Sequence, residues 1–332
     1  LQQLFLSFLG CSLYLDTLSS SYIVLTYCKG GGESTMKWGV FFISLVALKC
    51  FVGAFAQLVR LNTTGKFQVI TADAELLAKK AHELREQYKK AQPFPHIFID
   101  DIFPTELLEA IASEIPEVPD GEGCLQSLGG IRCIQMSNAK NKSTLAVEND
   151  MKPVTRMMFG FLKSHIWLTF LESLSGIGNL ISDPGFTGSG IHVTTSGGNL
   201  RVHADFNNYP QYKLQRRVNT FVYLNNNWQD EWGGHLELWN RELTECPVRL
   251  APAFGRFVVF STTDFSYHGH PEPLKTPPNR ARRSLALYYY TNGGRPKSEC
   301  VKGHCGYTHS TLYQNPKDTC VNMQAQNHRY YN

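Results

Sequence analysis

The chain has 332 residues, of which 42% are hydrophobic and 18% charged, with a formal net charge of +4. That length and apolar content suit one large core or two modest ones. The charge is mild, no long Lys/Arg run occurs and the aromatics are spread through hydrophobic segments, which argues against nucleic-acid binding.

The first methionine is Met36, followed by "KWGVFFISLVALKCFVGAFAQ". Lys37 is a short positive region, Trp38 to Leu48 an apolar stretch, and Ala54-Phe55-Ala56 a small-x-small cleavage site, the layout of a secretory signal peptide. Residues 1–35 are then an upstream extension absent from the mature protein, residues 36–56 the leader, and Gln57 the first mature residue. Lys49 and the short apolar length argue against a permanent span. With the leader cleaved, the protein is not an integral membrane protein; an uncleaved anchor is the alternative. The expected address is the lumen of the endoplasmic reticulum or Golgi, or the exterior. Sequons at Asn62 and Asn141 agree with it. So do six cysteines beyond Ala56, which allow up to three disulfides. Cys124–Cys133 is a plausible local closure, and Cys300, Cys305 and Cys320 could clip down a polar tail.

Residues 57–91 form an N-terminal helical region. Within it, residues 71–90 carry Leu76, Leu77, Ala81, Leu84 and Tyr88 at helical spacing. "HIFID" follows as a strand, and "PTELLEAIASEIP" as a short helix ended by Pro116. Residues 117–152, rich in Gly, Ser, Asn and Lys, read as a long loop. Residues 155–174 form a third helix with Met157, Phe161, Leu168 and Leu171 toward the core. From there the period changes. "GIHVTTS", "LRVHADF", "VNTFVYLN", "HLELW", "VRLAP", "RFVVFST" and "RSLALYYY" are short runs broken by Gly, Asn, Asp and Pro. They predict an antiparallel sandwich or barrel with helices packed outside it.

His203 and Asp205 are two apart in "RVHADF", so on a strand they share a face and can reach one ion. Two histidines and one carboxylate with other positions open is the donor set of non-haem Fe(II) oxygenases. The third ligand is His268 or His270 in "SYHGH". In "ARRSLALYYY", period two puts Arg282, Ser284, Ala286 and Tyr288 on one face and Arg283, Leu285, Leu287 and Tyr289 on the other. Arginine and hydroxyl side by side, next to small Ala286, suit a buried dicarboxylate.

The ordered series "GGNLRVHADFN", "RRVNTFVYLNNNW", "EWGGHLELW", "FSTTDFSYHGHPEPL" and "RRSLALYYYT" resembles the Fe(II)/2-oxoglutarate-dependent dioxygenases of the prolyl 4-hydroxylase-like group. The likeness spans roughly residues 92–312, the expected catalytic domain, with 313–332 as a tail. It implies a mostly β fold with flanking α-helices around a double-stranded β-helix (jelly-roll) core. It implies iron ligands His203, Asp205 and His268, with His270 nearby in the pocket. It implies Arg282 and Ser284 for the distal carboxylate of 2-oxoglutarate, with Tyr223 as a further contact. Fe(II), 2-oxoglutarate, O2 and ascorbate are the implied cofactors, and succinate and CO2 the co-products of a C–H hydroxylation. One departure is Thr194 or Thr195 where many relatives have tyrosine.

The substrate expected from the resemblance and the lumenal address is a peptidyl proline, with a small molecule or glycan as the alternative. Tyr209, Tyr212 and Trp232 are candidates for an aromatic peptide groove, and His235 and Asn207 for pocket residues. Three rivals stand beside the enzyme: a non-catalytic ligand-binding barrel, a structural disulfide-bonded protein, and a zinc site of Cys300, His304, Cys305 and His309 with Cys320.

Overall fold

A computed structural model describes residues 5–8, 11–18, 21–28, 39–44, 58–64, 67–115, 131–136, 139–209 and 211–322. The chain divides into two compact units, Leu1–Gln57 and Leu58–Asn332. The first contains an antiparallel four-stranded sheet made of Phe5–Phe8, Cys11–Leu18, Ser21–Cys28 and Gly39–Ser44. Of the expected leader only Gly39–Ser44 is described, and Ala54-Phe55-Ala56 lies outside the described residues. No helix among the described residues is long and apolar enough to cross a membrane.

The second unit begins with a hairpin, β1 (Val59–Thr64) and β2 (Phe67–Ala72), ahead of the expected helix α1 (Ala74–Lys90). The Asp73 side chain starts α1 by accepting from the Glu75 and Leu76 amides at 3.1 and 3.0 Å. Leu77, Ala81 and Tyr88 are its buried stripe. β3 (His96–Ile99) and α2 (Thr105–Glu114) follow as expected.

Two expectations fail. The loop expected over 117–152 contains a hairpin, β4 (Ile131–Met136) and β5 (Ala139–Leu145). Cys124 lies outside the described residues, so the Cys124–Cys133 closure does too. The single helix expected over 155–174 is two, α3 (Pro153–Leu162) and α4 (His165–Ser175). Lys163 closes α3, and Ser164 turns extended (φ −72°, ψ 156°) to start α4. The break lets Trp167, fully buried, meet Phe161, Phe103, Phe170 and Phe257 at ring distances of 4.9 to 5.4 Å. Truncating such a side chain costs about 3–5 kcal/mol.

The remaining strands are β6 (Ile181–Ser182), β7 (Gly190–Ala204), β8 (Gln215–Tyr223), β9 (Leu236–Trp239), β10 (Val248–Leu250), β11 (Phe257–Ser261), β12 (Tyr267–His270), β13 (Arg282–Thr291) and β14 (Leu312–Tyr313). They build one curled antiparallel sheet of order β10-β9-β12-β7-β13-β8-β11-β3, with β5 and β14 also paired to β7. The jelly-roll expectation holds. "GIHVTTS" and "LRVHADF" prove to be one strand. The first half of β7 pairs with β13 and its second half with β12, so this strand passes from one side of the roll to the other.

β13 shows how the layers divide. Leu285, Leu287 and Tyr289 join the core beneath the helices, together with Trp167, Leu171 and Phe257. Trp167 donates to the Tyr289 hydroxyl at 3.1 Å, and Tyr289 donates to Leu162 O at 3.0 Å. Arg282, Ser284 and Tyr288 face the interior of the roll instead, as the alternation predicts.

Candidate active site

The interior of the roll is a cavity of about 650 Å³. His203 from β7 and His268 from β12 are register partners, and Asp205 follows two residues after His203. One ligand atom from each of the three lies within 4.8 Å of the others, and all three residues are buried. The His203 and His268 Nε2 atoms are each 3.5 Å from an Asp205 carboxylate oxygen. Each imidazole donates from Nδ1 to the carbonyl two residues before it, Arg201 O at 2.8 Å and Ser266 O at 2.9 Å. With Nδ1 carrying the proton, the Nε2 lone pairs point toward Asp205, which is the tautomer a metal needs.

Asp205 is held from behind. Asn219 donates to its Oδ2 at 2.7 Å, and Arg216 Nη2 lies 3.0 Å from the same oxygen. Burial alone would raise this carboxyl, but Arg216, His268 and His203 outweigh it and keep it well below the usual carboxylate range. Burial, and then the charge of His203, pushes His268 down to about 4, so its imidazole is neutral near pH 7. The Arg216 guanidinium is itself buried, stacked 3.4 Å over the Tyr288 ring and 4.6 Å from that of Phe206.

Arg282 enters from β13. Its Nε donates to Gly234 O at 2.7 Å and its Nη2 to the Tyr223 hydroxyl at 3.0 Å. Gly234 has φ +68°, and a Cβ there would stand 3.1 Å from Arg282 Cδ and 2.6 Å from Leu274 Cδ2. Glycine thus permits both the turn and the close approach. No carboxylate pairs with Arg282 among the described residues, and the buried Ser284 Oγ beside it has no hydrogen-bond partner. A buried cation and an orphaned hydroxyl on one wall are what a ligand carboxylate would satisfy. The structure therefore brings His203, Asp205, His268, Tyr223, Arg282 and Ser284 into one cavity.

His270 also lines the cavity but is not in the three-ligand cluster. Arg283 lies on the opposite face, its amide donating to Asn225 Oδ1 at 2.7 Å. His235 does not border the cavity; its Nε2 meets Asp230 Oδ1 at 2.6 Å. Asn207 holds the tail, donating to Tyr307 O at 2.7 Å and accepting from the His309 amide at 3.0 Å. Tyr209, Tyr212 and Trp232 are absent from the cavity wall. Tyr209 and Tyr212 stack on one another, and Trp232 packs against Trp228. The zinc alternative fails, because Cys300 bonds to Cys305, Cys246 bonds to Cys320, and His309 pairs with Asp264 at 3.1 Å.

Residues 189–290 match the family model described as 2OG-Fe(II) oxygenase superfamily. That segment is a domain of the 2OG-Fe(II) oxygenase superfamily. The oxygenase carries its chemistry on the His203, Asp205, His268 triad, with Fe(II) as the metal and 2-oxoglutarate as cosubstrate. No curated protein matches the chain. Among solved structures it is similar to a prolyl hydroxylase from Trichoplax adhaerens, in complex with a hypoxia inducible factor oxygen degradation domain peptide fragment. That match has 17% identity, 65% of this chain and 91% of that chain covered, and TM-score 0.47. It is also similar to a Pseudomonas putida prolyl-4-hydroxylase (17%, 65% and 100%, 0.44). A third is a prolyl 4-hydroxylase from Phytophthora capsici (19%, 70% and 70%, 0.45).

Several wall residues carry no motif that a sequence reading could seize. Lys142 and Thr144 come from β5, His192 from the first half of β7, and Thr311 and Tyr313 from the tail. The Tyr313 ring stands 5.5 Å from that of His203 because β14 pairs His203 with Tyr313. Arg216 was visible only as the first residue of "RRVNTF".

Proposed function

We propose that this oxygenase hydroxylates a peptidyl proline in proteins of the secretory pathway. The observation that carries the chemistry is the triad sharing one cavity with a buried Arg282 that has no carboxylate partner among the described residues. Iron and 2-oxoglutarate, when bound, couple decarboxylation of the cosubstrate to succinate and CO2 with insertion of one atom of O2 into a C–H bond.

The chain's own residues set the stage for that reaction. His203, Asp205 and His268 would hold the metal at the cavity wall, where it would supply the redox chemistry that activates O2. Arg282, Tyr223 and Ser284 take the distal carboxylate of 2-oxoglutarate. Arg216 and Asn219 fix the orientation of Asp205. Phe206, Tyr288 and Tyr313 give the cavity apolar faces that exclude water and suit a pyrrolidine ring. Ascorbate would serve as the auxiliary reductant. The catalytic domain is taken as residues 92–312.

Two disulfides and an exposed Asn62 sequon support an oxidising address, reached through a leader starting at Met36 and cleaved after Ala56. A second reading, hydroxylation of a small molecule or glycan, is favoured by one observation: the three aromatics expected to form a peptide groove do not border the cavity. Succinate release measured alongside a mass gain of one oxygen separates the two. Pro-rich peptides should turn over, whereas sugars and free amino acids should not. Robust turnover of a small metabolite with no peptide turnover would replace the first reading with the second.

A further inference from the structure

Three adjacent strands, β5, β7 and β13, run in common register through the cavity wall. Lys142 pairs with Thr194, and Thr194 with Arg282; two residues along, Thr144 pairs with His192, and His192 with Ser284. Directly paired residues of antiparallel strands point to one face, as do residues two apart on a strand. The wall is therefore a grid of two rows. Lys142, Thr144, His192, Arg282 and Ser284 all line the cavity. The first row has a cation at each end and a small threonine between them. The backbones of Lys142 and Arg282 are two strand spacings apart, roughly 10 Å, and both side chains are long enough to converge above Thr194.

Among the described residues, no carboxylate forms an ion pair with either Lys142 or Arg282. Arg282 is held by a carbonyl and a phenol. Asp205 is the single carboxylate on the described cavity wall, and it is engaged by Arg216 and the triad. Burial, and then the charge of Arg282, pushes the Lys142 ammonium down to about 8. The shared pairing with Thr194 places Lys142 in the same row of the wall as Arg282. A ligand with a carboxylate at that end would relieve both the burial and the repulsion.

We propose that Lys142 is a second cationic anchor for 2-oxoglutarate, taking the distal carboxylate from the side opposite Arg282. The inference rests on the cosubstrate reading above. It adds a residue from β5, outside the 189–290 segment that the family model matches. It also accounts for the space left by Thr194, where a longer side chain would separate the two cations.

The test is calorimetric titration of the anaerobic, Mn(II)-loaded full chain. The probes are 2-oxoglutarate and 2-oxobutyrate, which has the same oxo-acid end but no distal carboxylate. Lys142→Met should weaken 2-oxoglutarate at least about tenfold, the loss of one charge-assisted contact, and leave 2-oxobutyrate within about twofold. Lys142→Arg should keep most of the affinity. Lys140→Met, an exposed change on the same strand, should alter neither ligand. If Lys142→Met does not fold, Lys142→Gln removes the charge at similar length and must give the same pattern. Unchanged 2-oxoglutarate affinity in the neutral variant overturns the anchor and leaves the cosubstrate reading intact. Equal weakening of both ligands marks a merely structural lysine and also overturns it. A parent protein that binds no 2-oxoglutarate overturns the cosubstrate reading, and the anchor with it.

Discussion

His203 and His268 face each other across paired strands, their rings 4.4 Å apart, each locked by the carbonyl two residues before it. The same local device, used twice, aims two imidazoles at one point. His270, two residues further along β12, lines the cavity but stands outside the ligand cluster. His268→Ala should therefore abolish stoichiometric Fe(II) or Mn(II) binding, while His270→Ala keeps most of it. Metal content after anaerobic loading reads this directly. The reverse pattern would transfer the third ligand to His270.

Arg282 and Arg283 are neighbours in sequence on opposite faces of β13. Arg282→Ala should raise the 2-oxoglutarate requirement roughly a hundredfold, about 3 kcal/mol for a ligand carboxylate left without its buried partner. Arg283→Ala should change it by less than about threefold. Steady-state titration of the cosubstrate distinguishes them, and equal effects would detach the distal carboxylate from Arg282.

Glu237, on β9, is almost fully buried, with the Trp239 indole donating to its Oε2 at 3.1 Å. Burial pushes its carboxyl up to about 7. The folded state thus holds a proton that the unfolded chain releases above its ordinary value of 4.5, so this group's contribution is full below pH 4.5 and is lost as pH rises through about 7. Glu237→Gln keeps the neutral form at every pH. Its Tm relative to the parent should climb between pH 5 and 8, toward a gain on the order of 3 kcal/mol. A difference independent of pH would mean that Glu237 is ionised in the fold.

The two sequons differ in what surrounds them. Asn62 is exposed on the β1–β2 hairpin. Asn141 is half-buried and already donates to Ser196 O at 2.9 Å, and Ser143 is buried beside it. In protein secreted from eukaryotic cells, Asn62→Gln should remove the glycosidase-sensitive mass and Asn141→Gln should leave it. Loss of the shift in the second variant alone would reverse the assignment.

What the sequence showed and hid follows from which way each strand faces. β13 was legible because one of its faces packs on the helices, so its alternation is strong enough to separate Arg282 and Ser284 from Leu285 and Leu287. β5 was invisible for the converse reason. Its "KNKST" core lines a polar cavity and pairs with β7, so a strand read as loop composition. Lys142 and Thr144 were lost with it. The break between α3 and α4 was hidden because Phe161 and Leu168 keep helical spacing across Lys163 and Ser164. Tyr313 belongs to the site through strand pairing alone, which no local pattern announces. The triad showed as an i, i+2 pair and a short histidine-rich strand, and the choice of His268 over His270 came from the family resemblance.

The tail has a further consequence. Cys300–Cys305 and Cys246–Cys320 fasten the segment that lays Tyr313 beside His203. Neither bond touches a metal ligand or Arg282. With both bonds reduced, the triad and the dicarboxylate end would keep their strand contacts, and the segment would rest on non-covalent ties alone: Asn207 to Tyr307 and His309, His309 to Asp264, and the pairing of Tyr313 with His203. Redox state would thus bear on how tightly the chamber is enclosed rather than on whether its metal ligands assemble.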